Sequence, residues 1–242
     1  MSDALWGGVA GQLLWALVAV GAAAILPGRS VADRLGLGRG RLGQAKLALA
    51  LVGFLALSNG VHGATVWLGL LEGTTLAEID RVVRETGPTH PLLVWLAIGL
   101  APALGEELLF RGFLLRWLAT RLAGPAAVLG SAALFGVAHL DAVHGVAAFL
   151  LGAYLGAIAW RARSVRAAML CHAVNNTLAL LGTLGRLPEL GAAGDPWRAG
   201  LALALAAGCL ALVLGGRLQP RVPSADPVGG RDEDDSSRTD RR

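Results

Sequence analysis

Charge is scarce in this chain: 16% of its 242 residues are Asp, Glu, Lys or Arg, against roughly 25% in soluble domains. With 55% hydrophobic residues and a mean hydropathy of +0.59, most of the chain must be solvated by lipid or by its own helices. The net charge is +4, but no polybasic stripe with interleaved aromatics accompanies it, which argues against nucleic acid as a partner. Cysteine is nearly missing too. Cys171 and Cys209 stand alone in apolar surroundings without Cys-x-x-Cys spacing, so there is no disulfide framework to count. Both read as small buried hydrophobes. A thiol nucleophile at Cys171, beside His172, would need its own base and would leave the glutamates unexplained. No internal repeat and no separate soluble domain can be traced.

What is present is a series of long apolar runs. The first, about residues 5–26, lacks a basic leader and exceeds a signal-peptide core, so it reads as a retained span. Runs follow at about 45–71, 91–121, 126–140, 143–160, 167–184 and 197–214. They predict an all-α, polytopic transmembrane bundle of about seven spans, or eight if Pro102 divides the third. Arginines and the single lysine cluster between alternate runs: Arg29, Arg34, Arg39, Arg41 and Lys46, then Arg116 and Arg121, then Arg161, Arg163 and Arg166, then Arg217. Only Arg81, Arg84, Arg186 and Arg198 fall in the other loops. By the positive-inside rule the N-terminus is outside and the C-terminus cytoplasmic. Residues 72–90 are polar. The spacing Thr75-Leu76-Ala77-Glu78 suits a capping box that opens a short surface helix, and Leu76, Ile79, Val82 and Val83 suit its bilayer face. Residues 1–218 are read as the membrane domain, with a core at about 90–185. Residues 219–242, rich in Pro, Ser, Asp and Arg, read as a disordered cytoplasmic tail.

Ionisable groups inside apolar runs are costly and mark function. The third run carries Glu106, Glu107 and Arg111. On a helix Glu107 and Arg111 are i and i+4 and can pair, while Glu106 points about 100° away and stays available for proton transfer. His139 and Glu106 are equally far from the turn near residues 122–123, so an antiparallel hairpin places them at one depth. Phe135 lies one turn before His139 and can pack its ring. His172 and Asn176 share a face of the sixth run and can aim at a water or a developing oxyanion, or join helices by hydrogen bonds. The same counting leaves His172 roughly 10 Å from the level of His139. Asp141, His144, His62 and His90 fall near span ends or loops and are not expected to be catalytic.

These residues resemble the CAAX protease and bacteriocin-processing family of intramembrane endopeptidases, which includes the type II CAAX prenyl proteases. The family pattern is E-E-x-x-x-R, F-x-x-x-H and H-x-x-x-N/D on successive membrane helices. Here it reads Glu106, Glu107 and Arg111, then Phe135 and His139, then His172 and Asn176. The resemblance implies a hydrolase acting on a peptide bond of a membrane-associated protein or peptide. It casts Glu106 as general base, His139 as its assistant or a metal ligand, and His172 and Asn176 as oxyanion stabilisers. Glu107 and Arg111 would orient the site. It also admits a metalloprotease in which Glu106, His139 and His172 hold Zn2+ with a position left for water, or a metal-free glutamate protease. Membrane lipid and a peptide or membrane-protein substrate are the implied partners, and the composition suggests a bacterial cell membrane. Two other classes stay open: a proton-coupled transporter using Glu106 and His139 as a relay, and a non-catalytic scaffold. Against the transporter, no inverted repeat of broken helices is visible.

Overall fold

An apolar backbone in lipid must satisfy its own hydrogen bonds, and helices do so within one segment. A computed structural model describes residues 2–187 and 195–215 of the protein. Among these residues it has nine helices: α1 (Ser2–Ala24), α2 (Val31–Leu35), α3 (Gln44–Trp67), α4 (Thr75–Thr86), α5 (Pro91–Leu118), α6 (Gly124–Val137), α7 (Ala142–Ala162), α8 (Arg166–Thr183) and α9 (Pro196–Leu214). The all-α class expected from the runs is observed. The tail from residue 219, and residues 188–194 of the last loop, lie outside the described residues.

Five helices are long and apolar enough to cross a membrane: α1 from Leu5, then α3, α5, α7 and α9. Seven are not shown. The fourth run forms only the 14 residues of α6, about 21 Å of helix against a hydrocarbon core of roughly 30 Å. It stops at Val137 because Leu140 turns the backbone left-handed (φ 54°), which a right-handed helix cannot continue. The sixth run forms α8, whose apolar character is diluted by Arg166, His172, Asn175 and Asn176.

The third run is not divided at Pro102. The helix continues from Pro91 to Leu118, with wider π-helical stretches at Trp95–Leu100 and Glu107–Leu114. Pro102 has no N–H for the carbonyl four residues back, that of Ile98. Asn176 Nδ2 donates to that carbonyl at 3.0 Å, so α8 supplies the hydrogen bond that proline withholds. Trp95 Nε1 donates to Thr177 Oγ1 at 3.0 Å, a second tie between the two helices.

The largest core cluster joins Ala50 and Phe54 of α3, Tyr154, Leu155 and Ile158 of α7, and Cys171 of α8. Both cysteines are buried and unpaired, as small hydrophobes. α4 is the expected surface helix, although Thr74, one residue earlier than the spacing suggested, caps it by accepting from Ala77 N–H at 3.3 Å. Its Val83 packs against Leu5, Val94, Ala97 and Leu180. Its outer face pairs Arg81 with Glu78 and Glu85, and Arg84 with Asp80.

Candidate active site

The expected i, i+4 pair forms inside α5: Arg111 Nη1 donates to Glu107 Oε1 at 2.9 Å, with the two side chains 1% and 0% exposed. The Arg111 guanidinium lies 4.3 Å from the centroid of the Phe135 ring of α6, a cation–π contact that a dry site strengthens. α6 is fastened to α5 at the same level by Ser131, whose Oγ donates to the Phe110 carbonyl at 2.7 Å.

His172 joins this pair directly. Its Nδ1 lies 2.9 Å from the same Glu107 Oε1, and its Nε2 lies 3.9 Å from Glu106 Oε2. The depth gap anticipated for His172 is therefore absent. It came from counting along seven full spans, whereas α6 is short and α8 is drawn against α5 by the Asn176 and Thr177 bonds. Asn176 itself is committed to Ile98 and does not aim with His172 at a common point, so helix joining is what its amide does here. Asn175 donates to Asn176 Oδ1 at 3.3 Å.

Glu106 is buried and held by a residue not anticipated from the sequence. Gln12 of α1 donates from Nε2 to Glu106 Oε1 at 2.9 Å. The approach of the two helices depends on Gly105, where any Cβ would overlap the Gln12 backbone carbonyl. Gln12 had a signal: between Ala4 and Ala24 it is the one polar side chain that is neither indole nor small. His172 and Glu107 are the near neighbours of Glu106 on this side, and His139 lies within electrostatic range of it.

His139 is not within a membrane helix as expected; it occupies the turn after α6. Its Nδ1–H donates to the Phe135 carbonyl at 2.8 Å, which leaves Nε2 free to accept a proton or a hydrogen bond. Phe135 packs edge-on against the ring, with centroids 4.8 Å apart. His144, set aside in the sequence, covers the ring from α7 at a centroid distance of 4.2 Å. His144 Nδ1 is bonded to Thr75 Oγ1 at 2.7 Å. Asp141 caps α7 by accepting from His144 N–H at 2.7 Å and also accepts Thr75 N–H at 2.9 Å. These backbone donors, His144 first, hold the Asp141 carboxyl below its usual range, because they favour the charged form. The turn is narrow enough for this because Gly136 and Gly145 face each other; a Cβ on Gly136 would come within 2.6 Å of the Gly145 carbonyl oxygen. So α4, the α6–α7 turn and His139 form one connected unit.

Residues 88–178 match the family model described as type II CAAX prenyl endopeptidase, Rce1-like. These residues form an Rce1-like CAAX endopeptidase domain. No curated protein and no solved structure matches the chain. An Rce1-like domain implies a protease with a protein or peptide substrate, set here in a helical membrane protein. The match spans α5, α6, α7 and most of α8, and all seven residues singled out by the sequence motifs lie inside it.

Among the described residues no group of three or more His, Cys, Asp or Glu is arranged to hold a metal ion. Glu106, His139 and His172, the zinc ligand set considered from the sequence, do not form such a group; each imidazole has Nδ1 engaged and keeps Nε2, and Glu106 has Oε1 on Gln12 and keeps Oε2. An open apolar cleft of about 390 Å³ runs along the outside of the α6–α7 hairpin, lined by Val137, Leu140, Val146 and Phe149 among others. None of the seven motif residues lines it.

Proposed function

We propose that the chain is an intramembrane endopeptidase in which Glu106 activates water without a metal step. The observation that carries this is the asymmetry of the two glutamates. Glu107 is neutralised by Arg111 and hydrogen-bonded to His172, whereas Glu106 has one oxygen on Gln12 and the other facing His172 Nε2 across 3.9 Å. That gap is too long for a direct hydrogen bond and short enough for one water oxygen to bridge. Glu106 would take the proton as the water oxygen attacks the scissile carbonyl, then return it to the amide nitrogen as the C–N bond breaks. His139, with Nδ1–H fixed on Phe135, would assist by presenting Nε2 as a hydrogen-bond acceptor toward the reacting groups. His172 would hold the water. Glu107, Arg111 and Asn176 would be positioning residues, the first two for His172 and the last for α8. The substrate would be a membrane-associated protein or peptide, prenylated or not, met in a bacterial cell membrane, with the arginine-rich loops and C-terminus on the cytoplasmic side.

The reading is tested in proteoliposomes that carry a quenched juxtamembrane peptide and an internal pH dye. Peptide cleavage that disappears in Glu106→Gln, with no change in proton flux, is the expected result. Proton flux abolished by Glu106→Gln, without cleavage in the wild type, would select the relay instead.

His144 gives a finer test. If it fixes the His139 ring, His144→Ala should lower kcat roughly ten-fold with KM held, since small misplacements of a reacting group act on the chemical step. His144→Asn, which can still meet Thr75, should recover part of the loss. Unchanged kcat in His144→Ala would show that the ring contact has no part in catalysis.

A further inference from the structure

The arginines of the first loop are gathered as well as placed. Gly36 ends α2 in the left-handed conformation (φ 65°), and a Cβ there would overlap the guanidinium of Arg116, which packs against it from the end of α5. The loop is then fastened to the α7–α8 turn. The Gly36 carbonyl accepts Val165 N–H at 3.0 Å, Arg41 N–H donates to the Ala162 carbonyl at 2.8 Å, and Ser164 Oγ donates to the Gly38 carbonyl at 2.8 Å. Between Ala162 and Ser164 lies Arg163, exposed and itself left-handed (φ 54°). Arg34 ties the loop from below by donating to the Arg29 carbonyl at 3.3 Å. As a result Arg163 and Arg29 are the electrostatic neighbours of Arg116, although the three come from separate segments.

Among the described residues no carboxylate answers them, and none of the three enters an ion pair. Asp33, the acid closest in sequence, accepts Ser30 Oγ at 2.7 Å instead. Arg116 Nε is buried without a hydrogen-bond partner. Carbonyls at the ends of α5 and α7 offset part of the charge on Arg116 and Arg163, but Arg29 belongs to no helix and those carbonyls leave Nε of Arg116 without an acceptor. Like charges held together repel, and a guanidinium fork matches two oxygens of a phosphate.

We propose that Arg116, Arg163 and Arg29 form a binding site for a phosphate-bearing anion, either the headgroup of an anionic phospholipid or a free phosphate. The site lies roughly 15 Å along α5 from Glu106 and uses none of the residues assigned to hydrolysis, so it stands whether or not the chain is a peptidase. A bound headgroup here would fix the depth of α5 in the bilayer.

The full chain, purified in neutral detergent, is titrated with short-chain phosphatidylglycerol, short-chain phosphatidylcholine and inorganic phosphate. Native mass spectrometry counts the bound molecules and thermal unfolding reports the stabilisation. Phosphatidylglycerol should bind more tightly than phosphatidylcholine. Arg163→Asn and Arg116→Gln should each weaken it about five-fold, near the effect of one arginine at a charged surface. Arg121→Gln, whose guanidinium is stacked 4.1 Å from the Trp117 ring centroid, should not. Inorganic phosphate binding with the same arginine dependence would identify the ligand as free phosphate; phosphatidylglycerol alone would identify a lipid. Should Arg116→Gln fail to fold, Arg163→Asn carries the test, because asparagine tolerates the left-handed backbone. Equal affinity for the two lipids, binding of neither anion, or an equal loss in Arg121→Gln would overturn the site.

Discussion

Glu107→Ala should destabilise the protein by about 3–5 kcal/mol, because it leaves a buried guanidinium uncompensated. Arg111 is 1% exposed, and among the described residues its only hydrogen bond is to Glu107 Oε1, the atom that also receives His172 Nδ1. Losing that carboxylate therefore unseats two side chains together. Pairing the change with Arg111→Met removes the orphaned charge and should return most of the stability, since apolar replacement of a whole buried pair is often nearly neutral. Catalysis should stay lost in the double variant, because His172 no longer has an acceptor for Nδ1–H. Unfolding of purified protein in mixed detergent micelles measures all three forms. A double variant no more stable than Glu107→Ala would show that the two charges do not act as a unit.

Glu106→Gln should have the opposite profile. The amide keeps an oxygen for Gln12 Nε2 to donate to, and it removes a buried carboxylate, so stability should hold or rise. Peptide cleavage should fall by roughly 10²–10⁴, the range that general acid–base catalysis supplies. His172→Ala should lose comparable activity, but at a cost in stability, because it frees both glutamates from their shared imidazole. Stability and activity thus separate the two carboxylates: Glu107 acts through the fold and Glu106 through the chemistry.

Much of this site could be read from spacing. The Glu107–Arg111 pair follows from i, i+4 geometry, which survives the π-helical widening of α5. That His139 falls within electrostatic range of Glu106 agrees with counting back along a hairpin. What counting could not supply was the true length of α6. Its end at Val137 is set by the left-handed turn at Leu140 and by the backbone contact of Gly136 with Gly145, both tertiary facts. That one error moved His139 into a helix and put His172 out of reach, whereas Asp141 and His144 do stand at a span end, as expected. Pro102 misled for a related reason: its missing N–H is a break only where nothing replaces the bond, and Asn176 does so. Gln12 was legible as a lone amide in an apolar helix, but its partner lies 94 positions away, beyond any local pattern.

Everything assigned to hydrolysis rests on Glu106 acting as the base for a water that His172 also touches. The most direct measurement is cleavage of a quenched peptide library by the purified full chain, with the cut bond located by mass spectrometry, in wild type and Glu106→Gln, each with and without chelator. Cleavage of a defined bond by the wild type, insensitive to chelator, and at least about a hundred-fold slower in a fully folded Glu106→Gln, is the expected result. Equal cleavage by both proteins, or wild-type cleavage that a chelator abolishes, would contradict it.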